Sequence, residues 1–148
     1  MENQIIQEIE LKYKTSPIAI SKKLTAVSGV YELLHNHWDM DTINLFEEFK
    51  VLYLNRANLL IGICSHSKGG ISGTVADVRL IIGMALKCAA SGIILAHNHP
   101  SGNTNPSQSD LSLTQKISDC CKLFDIVLLD HIIVTEDKYY SFKEEGII

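Results

Sequence analysis

The chain has 148 residues, of which 46% are hydrophobic and 20% charged. That is the size of one domain with enough apolar material for a core, and it excludes an intrinsically disordered chain. The formal charge of −4 at pH 7 counts against sequence-independent nucleic-acid binding, which relies on clustered Lys and Arg.

The first residues, MENQIIQEIELKYK, lack the layout of a secretory signal, and no apolar run is long enough to span a bilayer. Cys64, Cys88, Cys120 and Cys121 form no CxxC pair. They read as reduced core cysteines, so the expected location is cytoplasmic. Residues 5–14 are partly alternating and rich in β-formers, predicting a strand, and IAIS at 18–21 a short second one. A short helix is expected over 27–34 and a polar connection over 38–44. Two β-rich runs, 49–54 and 59–64, flank Asn55-Arg56-Ala57-Asn58 and predict a hairpin. SKGGISG, 67–73, reads as a flexible loop without the ending of a phosphate-binding P-loop.

Residues 74–90 repeat apolar side chains at helical spacing (Val75, Val78, Ile82, Ala85, Ala89), with Thr74 and Asp77 placed for a capping box and Gly92 as the stop. GIILA, 92–96, is a continuous apolar run of the kind found at a sheet centre. A further helix should bury Leu113, Ile117, Cys120, Cys121 and Phe124, with Pro106 at its first position. Residues 125–135 predict a strand pair or one long bent strand, and KYYSF a last short strand. The resulting fold class is α/β: a mixed sheet with helices packed against it. Residues 1–40 are expected to form a strand and helix extension to a domain over 41–148.

Between GIILA and the following helix runs HNHPSGNTNPSQSD. Extended backbone places His97 and His99 on one side, and Pro100 keeps His99 extended. Asp110 then falls in the opening turns of the helix. Two imidazoles and a carboxylate leave a tetrahedral ion one open position, the pattern of a catalytic zinc site. Taken singly, each part has a plainer meaning. H-x-H on a loop is a polar turn, and Ser107-x-x-Asp110 is a helix N-terminal signature whose acid suits the positive end of the helix dipole.

The combination H-x-H, seven residues, S-x-x-D resembles the JAMM metal motif of the JAB/MPN domain superfamily. HNHPSGNTNPSQSD, with EEFKVLYLNRANLL, SKGGISGT, DVRLIIGMAL, LDHIIVT and YYSFKEEGII in order, resembles its RadC-like bacterial branch from about Glu47 to the C-terminus. The resemblance implies a cytidine deaminase-like sandwich and Zn²⁺ held by His97, His99 and Asp110. It implies Ser107 as hydrogen-bond donor to a developing oxyanion and an upstream glutamate as general base. In the RadC-like pattern that acid lies two residues before Phe49, which selects Glu47. Alternation puts Glu47 and Phe49 on one face and Glu48 on the other, an order that a bulge would reverse.

The implied activity is metal-assisted hydrolysis of a peptide, isopeptide or related amide bond. The branch also carries a customary DNA-repair label, so nucleic acid is the alternative partner, against the acidic charge balance. The earlier His35-Asn36-His37 lacks the Pro-Ser-Gly turn and the S-x-x-D and reads as a polar helix end. Asp130 is a candidate to orient a ligand histidine or a paired core or edge aspartate, while His131 reads as a satisfied buried histidine.

Overall fold

The computed structural model describes residues 9–10, 12–14, 22–69 and 75–148. The strand expected over 5–14 falls mostly outside these, and its described residues lie in no strand; 18–21 and Thr74 also fall outside. The elements are α1 (Val27–His37), β1 (Glu48–Leu54), β2 (Leu60–Lys68), α2 (Val78–Lys87), β3 (Gly92–Asn98), α3 (Gln108–Leu123), β4 (Val127–Val134) and β5 (Tyr139–Ser141). Five strands form one mixed sheet in the order β2-β1-β3-β4-β5. Only β3 and β4 run parallel, joined by the α3 crossover that parallel neighbours require.

Strand alternation divides the core. Phe49, Val51, Tyr53, Ile93 and Leu95 pack with Ile81, Ile82 and Ala85 of α2 and Ile117 and Cys121 of α3. On the other face Leu52, Leu54, Ile94, Ala96, Ile132 and Val134 pack with Val30 and Leu34 of α1, Trp38 and Ile43. Strand β3 is therefore covered on both faces and paired on both edges, which is why GIILA is apolar without alternation. His97 continues the Ile93–Leu95 face toward α3, and Asn98 continues the face toward α1.

Several local expectations need correction. The connection over 38–44 is not simply polar, since Trp38 and Ile43 are buried. β2 runs on to Lys68, absorbing the start of the expected loop. Asp77 is itself the N-cap of α2, accepting from the Arg79 amide, and Val75 is exposed. Neither α2 nor α3 needs a glycine to stop. Ala89 (φ 53°) and Asp125 (φ 55°) take the left-handed position, and the amides that follow close back onto the helices, Ala90 on the Ala85 carbonyl at 2.9 Å and Ile126 on the Cys121 carbonyl at 3.0 Å. This is the Schellman closure, in which burying the next apolar residue offsets the cost of a side chain at positive φ. Gly92 is instead the first residue of β3. Ser107, not Pro106, marks the start of α3 as its N-cap, and Phe124 is half exposed rather than part of the buried stripe. Of the two readings of 125–135, the single strand holds, over 127–134.

Candidate metal centre

The end of β3 delivers both histidines. His97 is buried in the sheet, paired with Phe49 of β1 and Ile133 of β4. After His99 the chain turns sharply, the Gly102 amide donating to the His99 carbonyl at 3.0 Å. Gly102 sits at φ +78°, a conformation glycine adopts without steric cost. The chain then returns to α3, where the plain reading of S-x-x-D holds. The Ser107 hydroxyl accepts from the Asp110 amide at 3.1 Å, and the Asp110 carboxylate accepts from the Ser107 amide at 2.7 Å, a complete capping box. The same carboxylate reaches His97 Nε2 at 3.3 Å and His99 Nε2 at 3.5 Å.

Glu47, immediately before β1, completes the cluster. One ligand atom from each of Glu47, His97, His99 and Asp110 lies within 4.8 Å of all the others. Glu48 points the other way, its carboxylate 3.1 Å from the buried Lys50 ammonium. The earlier histidines stand apart: His35 Nε2 contacts the Glu136 carbonyl and His37 Nδ1 lies 3.5 Å from Lys50 Nζ.

Hydrogen bonds behind the cluster set which ring nitrogens face it. The Thr114 hydroxyl donates to the Asp110 carbonyl at 2.6 Å, so toward His131 Nδ1, at 2.7 Å, it can only accept. Burial drives the His131 pKa well below its usual value, so the ring is neutral and Nε2 carries a lone pair. That lone pair accepts from His97 Nδ1 at 2.8 Å, which turns His97 Nε2 toward the cluster. On His99, Nδ1 donates to the Asn103 carbonyl at 2.6 Å, which turns its Nε2 to the same point. The two Nε2 atoms face each other at 2.9 Å beside two carboxylates. Two ring nitrogens and two carboxylates thus converge on one point, a donor set that suits a cation. The charged groups also shift one another. Burial alone would raise the Asp110 carboxyl, but its hydrogen bonds with His97 and His99 outweigh it and hold the group well below the usual carboxylate range. Burial would lower His99, but hydrogen bonds with Asp110 and Asn103 and the charge of Glu47 leave it raised.

His131, read from sequence as a merely satisfied histidine, is the residue that holds His97. Asp130 does not orient a ligand histidine and is instead a paired core aspartate, the other reading of it. It accepts from the Ser141 hydroxyl at 2.6 Å and the Lys143 amide at 3.0 Å. Thr114 carried a faint signal, since it follows Asp110 by four residues and so shares its helix face. We expect His131→Phe and Thr114→Val each to weaken metal binding about 10–100-fold, read by competition against a chelator of known affinity. Ser107→Ala should cost about 1 kcal/mol of stability through the lost cap. It should keep the metal, because the backbone amide of Ser107, not its hydroxyl, steadies the Asp110 carboxylate. Urea unfolding and metal titration on the one variant check both halves.

A family model described as the RadC-like JAB domain matches residues 24–147. The chain belongs to the RadC-like JAB domain family. Its relatives include a UPF0758 protein of Flavobacterium johnsoniae, 54% identical over 101 residues, 68% of this chain and 44% of that protein. UPF0758 protein YfjY of Escherichia coli is 45% identical over 102 residues, 69% of this chain and 64% of YfjY. A UPF0758 protein of Clostridium beijerinckii is 36% identical over 126 residues, 85% of this chain and 54% of that protein. This RadC-like chain therefore spans about half the length of the curated relatives it matches, and the match includes α1 as well as the sheet. Among the described residues no helix is long and apolar enough to cross a membrane.

Proposed function

We propose that this RadC-like JAB domain is a zinc-dependent hydrolase of peptide, isopeptide or related amide bonds, with His97, His99 and Asp110 as metal ligands. The observation that carries this reading is the convergence of two Nε2 atoms and two carboxylates on one point, with His131 and Thr114 holding the His97 ring from behind. Two imidazoles and one carboxylate are the donor set of a catalytic rather than a structural zinc site. Bound there, Zn²⁺ supplies an acidified water and an electrophile for a carbonyl oxygen.

The chain's own residues do the rest. Glu47 lies within reach of the same point but is not needed to complete the ligand set, so its carboxylate is free to accept a proton and later deliver it to the leaving amine. The Ser107 hydroxyl oxygen accepts from the Asp110 amide, which leaves its proton available to a negative oxygen forming nearby. His131 and Thr114 keep the His97 ring in one orientation throughout. The four free cysteines support work in a reducing compartment such as the cytoplasm.

The test is a screen of zinc-loaded protein against peptide, isopeptide and single-stranded DNA substrates, with the metal-stripped protein as control. Metal-dependent cleavage of an amide is the expected result. Action on DNA alone, or salt-dependent DNA binding at micromolar affinity, would replace this reading by the nucleic-acid one.

A further inference from the structure

Asn98 lies between the two histidines and faces away from both. It is fully buried on the α1 side of the sheet, where it touches none of the converging ligand atoms. Its amide makes three hydrogen bonds, all to one stretch of backbone. Nδ2 donates to the carbonyls of Ile43 at 2.7 Å and Phe46 at 2.8 Å. Oδ1 accepts from the Glu48 amide at 2.7 Å. Two of these partners, Phe46 and Glu48, are the neighbours of Glu47 on either side.

The β1–β3 register gives the reason. Main-chain pairing runs to Phe49 opposite His97. One step further Glu48 would face Asn98, and there the backbone ladder gives way to the Asn98 side chain. A side-chain amide reaches farther than a main-chain carbonyl, so Asn98 takes over where the main-chain pairing of the two strands ends and pairs the Ile43 and Phe46 carbonyls and the Glu48 amide. Glu47 stands at this point, with its carboxylate close to His97 and His99. On its other side the Glu47 carbonyl accepts from the Gly69 amide at 2.8 Å, so the peptide is held from β2 and β3 together.

We propose that Asn98 is the positioning residue for Glu47, setting the distance between that carboxylate and the metal point through the 43–48 backbone. The inference rests on the reading of Glu47 as the general base at a metal site. It explains why asparagine stands between the two histidines. The position needs two donors and one acceptor on a short planar group, a set that asparagine supplies and aspartate, with acceptors only, does not. One strand end then fixes the ligands on one face and the base on the other.

The test uses Asn98→Asp and the smaller Asn98→Ser in the whole chain, with Co²⁺ as the probe. Amide hydrogen exchange reads the clamp without metal. Exchange at Glu48 should speed up at least tenfold in both variants, while Ile94 and Leu95 keep their protection. The visible spectrum of the Co²⁺ form reads the positioning. Both variants should bind Co²⁺ within about threefold of the parent, since the ligands are untouched, and their spectra should shift in the same sense as that of Glu47→Gln. Adding Asn98→Ser to Glu47→Gln should change the spectrum no further. Unaltered Glu48 exchange, or spectra like the parent's when Glu47→Gln differs, would overturn the role of Asn98 alone. A parent that takes up no Co²⁺, or a Glu47→Gln spectrum identical to the parent's, would instead remove the reading of the site on which the inference stands.

Discussion

Stripped of metal and dialysed against zinc, the chain should take up about one ion, and His97→Ala and Asp110→Ala should take up almost none. The two variants fail for different reasons. His97→Ala removes a ligand that is also part of the core, and it orphans His131 Nε2 in a fully buried position. Some of its cost therefore appears in the metal-free fold. Asp110→Asn is the cleaner probe. Its amide oxygen can still accept from the Ser107 amide and keep the cap of α3, but the negative charge that the two Nε2 atoms face is gone. We expect the metal-free Asn variant to unfold close to the parent, and zinc to stabilise only the parent. Free zinc at a hundred times the dissociation constant adds about 2.7 kcal/mol to a protein that binds it in the folded state alone. Elemental analysis together with thermal unfolding with and without zinc decides the matter. Equal zinc content in the parent, His97→Ala and Asp110→Ala would end the ligand assignment.

Glu47→Gln should leave that zinc in place and lower the rate of amide hydrolysis by about 10²- to 10⁴-fold, the range for a positioned general base. Glutamine keeps the shape of the side chain but cannot accept and return a proton. The informative control is the neighbouring acid. Glu48 pairs with Lys50, whose ammonium is buried and also bonds the Ser65 hydroxyl at 3.2 Å and lies 4.7 Å from the centre of the Trp38 ring. Glu48→Gln removes the one carboxylate in this group and leaves a buried charge less compensated, so its effect belongs in stability, up to about 3–5 kcal/mol. Single-turnover hydrolysis and urea unfolding on both variants form a two-by-two comparison. Lost turnover in Glu48→Gln with intact turnover in Glu47→Gln would exchange the two assignments.

Much of this was legible in the amino-acid sequence because it depends on short-range geometry. The apolar run of β3, the hairpin around Asn55–Asn58 and the cap at Ser107 follow from periodicity and turn chemistry within a few residues. The candidate residues His97, His99 and Asp110 sit within fourteen positions of one another, so a strand end, a proline-glycine turn and a helix start suffice to suggest their proximity. Helix ends were less legible. Ala89 and Asp125 close α2 and α3 in the left-handed conformation because the following residue gains burial, a tertiary reward that local propensity does not register.

The surroundings of the cluster were decided only by the tertiary structure. Which of Asp130 and His131 faces His97 depends on one extra residue: Ile93 pairs with Leu128 but Ile94 with Asp130, leaving Leu129 as a bulge in β4. Without that bulge the strand's alternation would turn Asp130 toward α3 and His131 away, because side-chain direction has a period of two and a one-residue slip inverts every later position. Asn98 presents the same problem across fifty residues of chain, since its bonds to Ile43, Phe46 and Glu48 exist only once β1 and β3 are neighbours. Residue type and spacing thus named the candidate ligands. Strand register, set by packing on both faces of the sheet, chose the groups that hold them.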